Sequence, residues 1–256
     1  MRVVVTRPQR EAQAWVRSFQ QAGHEAWALP LIGIGPAPDL ALVQQAWHHA
    51  ARYQAVMFVS ANAVGSFFSQ RPADSPPIAQ AWATGPGTVR ALRQAGVPEQ
   101  DIVAPSPDAA QFDSEALWQQ VRERVSGRTE VLIVRGADAQ GLSSEGAGRD
   151  WFAQQLRQAG AGVEFLASYQ RQRPEPTAAA LQRARAAASD GSVWVFSSSE
   201  AVHNLQFVLP AQDWAAAVAV ATHARIAAAV RAAGFGQVRE SRPSLPNVLA
   251  SIESVA

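Results

Sequence analysis

Short apolar runs alternate with longer amphipathic stretches along almost the whole chain. The run Val3–Val5 predicts a strand, and the apolar positions from Ala12 to Phe19 recur at the spacing of one helix face. Gly23 then fits the position just after a helix, where glycine tolerates the left-handed backbone that ends it. Strands that alternate with helices in this way are typical of α/β proteins with parallel sheets and crossover helices.

The same pattern predicts the remaining elements. A second apolar stripe, from Leu40 to Ala50, follows Asp39, a residue suited to cap a helix N-terminus. Further strands are predicted at about 55–59, 81–84, 101–104, 129–134, 163–169, 193–197 and 218–221, with a weak one near 237–240. Helices are predicted at about 61–69, 87–95, 114–125, 149–159, 177–189, 199–208, 224–233 and 245–252.

Two blocks of sequence recur at one offset. VMFVSANAV (56–64) corresponds to WVFSSSEAV (194–202), and AWATGPGTVRALRQAGV (81–97) corresponds to AVATHARIAAAVRAAGF (219–235), in both cases 138 positions later. Each copy is a predicted strand followed by a helix. The repeat therefore predicts two similar α/β lobes with a cleft between them, and clefts at domain interfaces are common ligand sites.

Two extended, proline-bounded segments interrupt the alternation, at about 30–38 and 167–176. Each lies just before a predicted helix, and both are predicted to be linkers. Two linkers require the chain to leave one lobe, build the other and return. The first lobe is therefore predicted to comprise 1–35 plus 173–256, and the second lobe 37–167.

Composition excludes several kinds of chemistry. The 256 residues include 22 basic and 21 acidic side chains, a formal net charge of +1, so no basic excess points to nucleic acid. There is no cysteine, which excludes thiol catalysis, disulfides and thiolate metal sites. There is no lysine either, which excludes a Schiff-base lysine. Covalent chemistry would have to use Ser, Thr, Tyr, His or a carboxylate.

Targeting patterns do not stand out. The N-terminal sequence MRVVVTRP has only three consecutive apolar residues before Thr6, too few for the core of a signal peptide. No stretch approaches the roughly 18 apolar residues of a membrane span. The sequence predicts a cytoplasmic protein that does not contact membranes, and a monomer is the default expectation.

Small polar residues gather where the predicted strands end. In parallel sheets, ligands bind beyond these ends, where helix N-termini direct N–H groups at anions. The turns concerned are Thr6-Arg7-Pro8, Ser60-Ala61-Asn62, Gly85-Pro86-Gly87-Thr88, Arg135-Gly136, Ser197-Ser198-Ser199 and Thr222-His223. Taken singly, each Ser or Thr is better explained as a helix cap. Six such turns, together with Arg7 and Arg135, favour a site for carboxylates or phosphates.

Familiar catalytic signatures are absent: there is no GxGxxG after a strand, no P-loop lysine motif, no GxSxG and no HExxH. His223 occupies a strand-end turn, and substrate contact and a structural role are both open. Tyr169 lies in the second linker, at the expected mouth of the cleft. Its phenol could donate a proton to a leaving hydroxyl, or it could be a half-buried structural residue. Asp138, Glu145 and Asp150 lie in a Gly/Ser-rich loop, for which cation binding and a plain surface loop are alternatives.

Seven motifs follow one another over essentially the whole chain: VVVTRP (3–8), PLIGIGP (30–36), FVSANAV (58–64), ATGPGTVRAL…G (83–96), VLIVRG (131–136), ASYQR (167–171) and VFSSSEAV (195–202). Each is weak alone, but in their order and spacing they resemble the uroporphyrinogen-III synthase family. The resemblance implies two α/β lobes joined by a two-stranded antiparallel linker. It also implies that the first and last parts of the chain share a lobe.

The resemblance further implies a reaction: hydroxymethylbilane is cyclised with loss of water and inversion of ring D. The family's route passes through a cationic azafulvene and a spiro-pyrrolenine, and it uses no metal or cofactor. On this basis, orientation of the substrate matters more than a strong acid or base. The partner is an anionic tetrapyrrole with acetate and propionate groups, handed over transiently from hydroxymethylbilane synthase.

Carried over by motif position, the expected substrate contacts are Arg7, Ser60, Gly85, Thr88, Ser197 and Ser198, with Tyr169 assisting departure of the hydroxyl. The chain departs from the family pattern in the second copy of the repeat. His223 and Ile226 stand where many relatives carry glycine and threonine, so Thr222 or His223 is expected to replace that contact.

Two other function classes fit the same sequence. A two-lobed binding protein for an anionic small molecule would need the same cleft but no catalysis. A phosphosugar isomerase would also use serine-rich strand ends for phosphate, but it would need a clear base such as Glu or His in the cleft. Formation of the type-III porphyrinogen from hydroxymethylbilane distinguishes both from a synthase.

Overall fold

The computed structural model describes residues 1–106, 112–137 and 147–254. In chain order its strands are β1 (Arg2–Val5), β2 (Glu25–Ala28), β3 (Gly33–Gly35), β4 (Ala55–Phe58), β5 (Ala81–Ala83), β6 (Ile102–Val103), β7 (Glu130–Ala137), β8 (Gly162–Gln172), β9 (Val193–Phe196), β10 (Val218–Ala221) and β11 (Gln237–Glu240). Its helices are α1 (Gln9–Gln21), α2 (Leu40–His48), α3 (Ala61–Phe68), α4 (Pro86–Gln94), α5 (Ser114–Val121), α6 (Ala147–Gln158), α7 (Ala178–Ala186), α8 (Ser199–Val208), α9 (Ala224–Ala232) and α10 (Leu245–Glu253). The predicted α/β fold with parallel sheets is confirmed.

The chain divides into two compact units. The first contains Met1–Gly33 and Gln172–Ala256, and the second contains Ile34–Arg171. The chain passes from the first unit to the second within β3 and returns at the end of β8. These two strands are neighbours at one side of the second unit's sheet.

The first unit is built on a five-stranded sheet in the order β11-β10-β9-β1-β2, with parallel pairing throughout. The Val3–Val5 run is fully buried in β1, an interior strand between β9 and β2. Helix α1 packs Ala12, Trp15 and Phe19 against it, because their spacing places all three side chains on one helix face. Gly23 follows α1 with φ of 84°, the left-handed conformation that glycine adopts without strain.

The second unit is built on a six-stranded sheet in the order β3-β8-β7-β4-β5-β6. Both faces of this sheet are covered. One face forms a core with residues of α2, α3 and α4, here called the Trp47 cluster. The other face forms a core with residues of α5 and α6, here called the Phe152 cluster. Because both faces are buried, β4 and residues 131–134 of β7 are continuous apolar runs rather than alternating ones.

Two elements differ from the sequence-based expectation. Strand β2 was not predicted, because its sequence EAWA is short and has no β-branched residue; parallel pairing with β1 creates it. The predicted strand at 163–169 and the start of the predicted linker at 167–176 form one continuous strand, β8. Among the described residues, no helix combines the length and the apolar character needed to cross a membrane.

The protonated hydroxyl of Tyr53 stabilises the second unit, so the stability of this unit depends on pH. Its hydroxyl donates to Oε2 of Glu164 at 2.6 Å, and Arg52 binds both groups. Burial, reinforced by the bond to Glu164, raises the pKa of Tyr53 to about 12. Tyrosine in an unfolded chain has a pKa of about 10. Between pH values of about 10 and about 12, the Tyr53 hydroxyl therefore keeps its proton in the folded state and loses it in the unfolded state.

We expect the free energy of unfolding to fall as the pH rises from about 10 to about 12, because the unfolded chain loses this proton first. Tyr53→Phe should remove that part of the fall. The chain has no lysine or cysteine and only one other tyrosine, so few groups titrate in this range. Denaturant unfolding followed at several alkaline pH values measures the effect. Equal slopes for the two proteins would contradict it.

Candidate functional site

The turn after β4 brings together two of the predicted site residues. Ser60 caps helix α3, and its Oγ accepts a hydrogen bond from the Ala63 N–H at 3.1 Å. The Tyr169 hydroxyl of β8 lies 3.3 Å from the same Oγ, and either oxygen can be the donor. Ser60 is partly exposed, whereas Tyr169 is only 1% exposed. The pair thus links a buried phenol to an accessible hydroxyl at a strand end.

Tyr169 is more deeply placed than its predicted linker position suggested. It is an integral residue of β8 and a member of the Trp47 cluster. Its ring lies over Gly136, where an added Cβ would come within 2.5 Å of Cζ. Gly136 therefore provides the space that the ring occupies, and Tyr169 is a buried strand residue rather than a half-buried linker residue.

The turn after β5 presents the start of helix α4. Gly85 is the N-cap in an extended conformation, and Pro86 occupies the first turn, where its missing N–H costs nothing. A Cβ at Gly85 would lie 3.3 Å from Cβ of Phe112, so a larger residue would be tightly constrained. Thr88 follows in the first turn and is buried. Gly85 and Thr88 thus stand at a helix N-terminus, a position that favours anions.

Arg135 lies at the end of β7 and is 6% exposed. Its guanidinium carbon is 4.1 Å from the centroid of the Phe165 ring. Nη1 lies 3.8 Å from Oδ1 of Asp150, whose side chain is half-exposed. A stacked and ion-paired guanidinium of this kind is held in a narrow range of orientations.

In the first unit, Arg7 follows β1 and is also constrained. Nη1 donates to Oε2 of Glu11 at 2.8 Å, and the guanidinium carbon stands 4.0 Å from the centroid of the Trp15 ring. Nε is buried and has no hydrogen-bond partner among the described residues. Burial lowers the pKa of Arg7, and Glu11 partly offsets this. The guanidinium nevertheless stays charged near neutral pH.

The turn Ser197-Ser198-Ser199 follows β9, the neighbour of β1 in the sheet. Ser198 caps helix α8, and its Oγ accepts from the Glu200 N–H at 3.2 Å. Ser197 is partly buried beside it. The Oγ of Ser199 is buried without a hydrogen-bond partner among the described residues. Hydroxyls thus surround the start of a helix at the strand end next to Arg7.

Thr222 and His223 follow β10, which neighbours β9 on its other side. Thr222 is buried, and its N–H bonds the Phe196 carbonyl at 3.1 Å. His223 is exposed and caps helix α9, because its Nδ1 accepts from the Arg225 N–H at 3.0 Å. A neutral imidazole that accepts at Nδ1 carries its proton on Nε2. His223 can therefore donate a hydrogen bond, whereas Thr222 is enclosed.

Within each unit, the structure gathers the predicted residues at the carboxyl ends of neighbouring strands. The first unit groups Arg7, Ser197, Ser198, Thr222 and His223, and the second unit groups Ser60, Gly85, Thr88, Arg135 and Tyr169. The contacts of Arg7 with Glu11 and Trp15 were not predicted, although Arg7 and Glu11 have the i, i+4 spacing common in ion pairs. Ser168 of β8, which is 1% exposed, was not singled out by the sequence either.

The placement of Asp150 in the Gly/Ser-rich loop is wrong, because this residue lies in the first turn of α6. Asp150 is the ion-pair partner of Arg135. Asp138 and Glu145 lie outside the described residues, so the alternatives raised for them stay predictions. Within 1–106, 112–137 and 147–254, no three His, Asp or Glu side chains group so that they could hold a metal ion.

Known proteins share this fold. The structure resembles uroporphyrinogen-III synthetase from Helicobacter pylori 26695 with a TM-score of 0.59 and 16% sequence identity, covering 100% of both chains. It also resembles a mutant uroporphyrinogen III synthase from the extremely thermophilic bacterium Thermus thermophilus, with a TM-score of 0.51, 16% identity, and 99% and 98% of the two chains covered. At this level of identity, the likeness concerns the fold. In addition, a family model described as uroporphyrinogen-III synthase HemD matches residues 13–250.

The fold is of the α/β class in which parallel sheets place helix N-termini, hydroxyls and arginines at the carboxyl ends of their strands. Because the family model spans most of its length, the chain belongs to the uroporphyrinogen-III synthase family. The resemblance drawn from the seven motifs is thereby confirmed. The prediction of a cyclising lyase of tetrapyrrole biosynthesis is confirmed with it.

Proposed function

We propose that the protein cyclises hydroxymethylbilane, with loss of water and inversion of ring D, to give uroporphyrinogen III. The family match over residues 13–250 carries this proposal. The strand-end groups support it, because a substrate with several carboxylates needs several separate anion contacts. A flexible linear tetrapyrrole also has to be held with its two ends close together, and such orientation is itself a large part of the catalysis.

The carboxylates of the substrate are proposed to bind at the strand ends within each unit. In the first unit the contacts are Arg7, Ser197, Ser198, and Thr222 or His223. In the second they are Ser60, Gly85, Thr88 and Arg135. The constrained guanidinium groups of Arg7 and Arg135 support this assignment, because a preoriented arginine can bind a carboxylate through two parallel hydrogen bonds. Of the two residues after β10, His223 is the better supported, since it is exposed and can donate from Nε2.

Tyr169 is proposed to assist departure of the hydroxymethyl oxygen. As the C–O bond breaks, the oxygen leaves as water once it has gained a proton, and a ring position loses a proton when the macrocycle closes. The 3.3 Å contact supports a route in which the partly exposed Ser60 hydroxyl accepts a hydrogen bond from the buried phenol and donates its own hydrogen to the leaving oxygen. Since Ser60 remains when the phenol is lost, the contribution of Tyr169 should be modest.

We expect Tyr169→Phe to lower kcat by about tenfold, at or below the weak end of general-acid effects. Tyr53→Phe is the matched control, because it removes the only other phenol of the chain. That variant should keep the wild-type rate. Steady-state assays with hydroxymethylbilane generated in situ measure both. A Tyr169→Phe protein as fast as the wild type would reduce Tyr169 to a structural residue.

Several features stay predictions from the sequence and the resemblance. They are the assignment of 1–35 plus 173–256 and of 37–167 as two lobes, the cytoplasmic location, the monomeric state, and the transient hand-over from hydroxymethylbilane synthase. The two compact units support the lobe assignment, with boundaries at Gly33/Ile34 and Arg171/Gln172.

A further inference from the structure

Strand β8 contains an irregularity next to Tyr169. Along β7 and β8 the pairing advances one residue at a time until Arg135 pairs with Ala167. The next pair is Gly136 with Tyr169, so Ser168 is an extra residue opposite the step from Arg135 to Gly136. An extra residue of this kind is a β-bulge, which redirects the side chains that follow it.

The bulge moves Tyr169 to the opposite face of the sheet. In a regular strand, successive side chains alternate between faces. Accordingly, Phe165 packs against the Phe152 cluster and Leu166 belongs to the Trp47 cluster. Strict alternation would place Tyr169 on the same face as Phe165. It belongs instead to the Trp47 cluster with Leu166, because Ser168 adds one residue to the count.

Ser168 and Tyr169 consequently both reach helix α3. The Ser168 Oγ donates to the Ala63 carbonyl at 3.2 Å, while the Tyr169 hydroxyl meets Ser60. Ala63 also donates its N–H to the Ser60 Oγ at 3.1 Å. Ala63, in the first turn of α3, is therefore hydrogen-bonded both to Ser60 and to Ser168.

We propose that Ser168 is a positioning residue, which holds the Ser60 and Tyr169 hydroxyls at hydrogen-bonding distance by tying the first turn of α3 to β8. It does not contact the substrate, because it is 1% exposed and its hydroxyl is engaged by Ala63. This inference rests on the proposed role of Tyr169. It assigns a function to a residue that belongs to none of the strand-end turns.

A double-mutant cycle tests the proposal. Ser168→Ala, Tyr169→Phe and the double variant are assayed with Ser75→Ala as a control, since Ser75 also donates to a backbone carbonyl of the second unit, that of Pro72 at 2.8 Å. We expect Ser168→Ala to lower kcat by about fivefold with little change in KM, the scale of one buried hydrogen bond. In the Tyr169→Phe protein the same change should have no further effect. Ser75→Ala should keep the wild-type kcat.

The possible outcomes distinguish a failure of the positioning role of Ser168 from a failure of the proposed role of Tyr169. Equal losses from Ser168→Ala in both backgrounds would overturn the positioning role, even if Tyr169→Phe is slow. An unchanged rate for Tyr169→Phe would overturn the catalytic role of the tyrosine, and the inference with it. Ser168→Thr retains a hydroxyl donor and should stay close to the wild-type rate; a loss as large as that of Ser168→Ala in a folded protein would count against the hydrogen bond.

A spectroscopic measurement does not depend on turnover. With only two tyrosines, the protein labelled with ¹³C at tyrosine Cζ should give two signals, assigned by means of Tyr53→Phe. Ser168→Ala should move the Tyr169 signal and leave that of Tyr53 in place. A Tyr169 signal unaffected by Ser168→Ala would overturn the proposal.

Discussion

Replacing Arg7 with glutamine is expected to lower kcat/KM by about ten- to a hundredfold, mainly through KM, the range that the loss of a charge-assisted hydrogen bond implies. The Arg7 guanidinium is already oriented by Glu11 and Trp15, so little freedom is lost when it binds a carboxylate. Its buried Nε has no partner among the described residues. Glutamine keeps an N–H donor for Glu11, which limits the effect on folding.

Arg2 provides a matched control for Arg7. It lies at the start of β1, the strand that Arg7 follows, and forms an exposed ion pair with Asp190 there. Exposed pairs contribute little, so Arg2→Gln should change neither KM nor kcat although it removes the same charge. Arg7→Lys retains the charge without the planar fork and should fall between wild type and Arg7→Gln. Similar KM values for Arg7→Gln and Arg2→Gln would remove Arg7 from the proposed site.

Replacing Gly136 with alanine is expected to affect both stability and catalysis. The new Cβ would come within 2.5 Å of the Tyr169 ring, which is enclosed in the Trp47 cluster and cannot move freely. Overpacking of this kind costs about 1–3 kcal/mol of unfolding free energy. The displaced phenol would also leave Ser60, so kcat should fall by at least the roughly tenfold expected for Tyr169→Phe.

Two comparisons isolate the cause of the Gly136→Ala effect. Gly127→Ala places its Cβ no closer than 3.9 Å to another residue, and it should cost less than about 0.5 kcal/mol. In a Tyr169→Leu protein the ring is gone, so the same Gly136→Ala change should cost much less stability there than in the wild type. Denaturant unfolding and turnover are measured on the wild type and on the four variants: Gly136→Ala, Gly127→Ala, Tyr169→Leu and the double variant. A stability cost that is the same in both backgrounds would show that Tyr169 is not what Gly136 accommodates.

The sequence predicted most of the fold, because both sheets have buried central strands. Buried strands must be continuous apolar runs, as in β4 and β9, and such runs can be recognised without a structure. Strand β2 was overlooked for the converse reason. Its residues have weak strand character, and pairing with β1 is what makes them a strand.

The part of the candidate site that lies directly after the parallel strands could be predicted from the sequence. Ser60, Ser198 and His223 all cap helices directly after parallel strands, as the strand-end pattern indicates. The orientation of Tyr169 was not predictable. It depends on the bulge at Ser168, which exists only in the pairing of β8 with β7. A residue count along the chain would place the tyrosine on the wrong face.

The central claim is that this protein cyclises hydroxymethylbilane with inversion of ring D. The most direct test is to generate hydroxymethylbilane in situ, add the purified protein, and identify the porphyrinogen isomer by chromatography after oxidation, with heat-denatured protein as the control. We expect the type-III isomer with the native protein and the type-I isomer, which forms spontaneously, with the control. Type-I product alone in both reactions would contradict the claim.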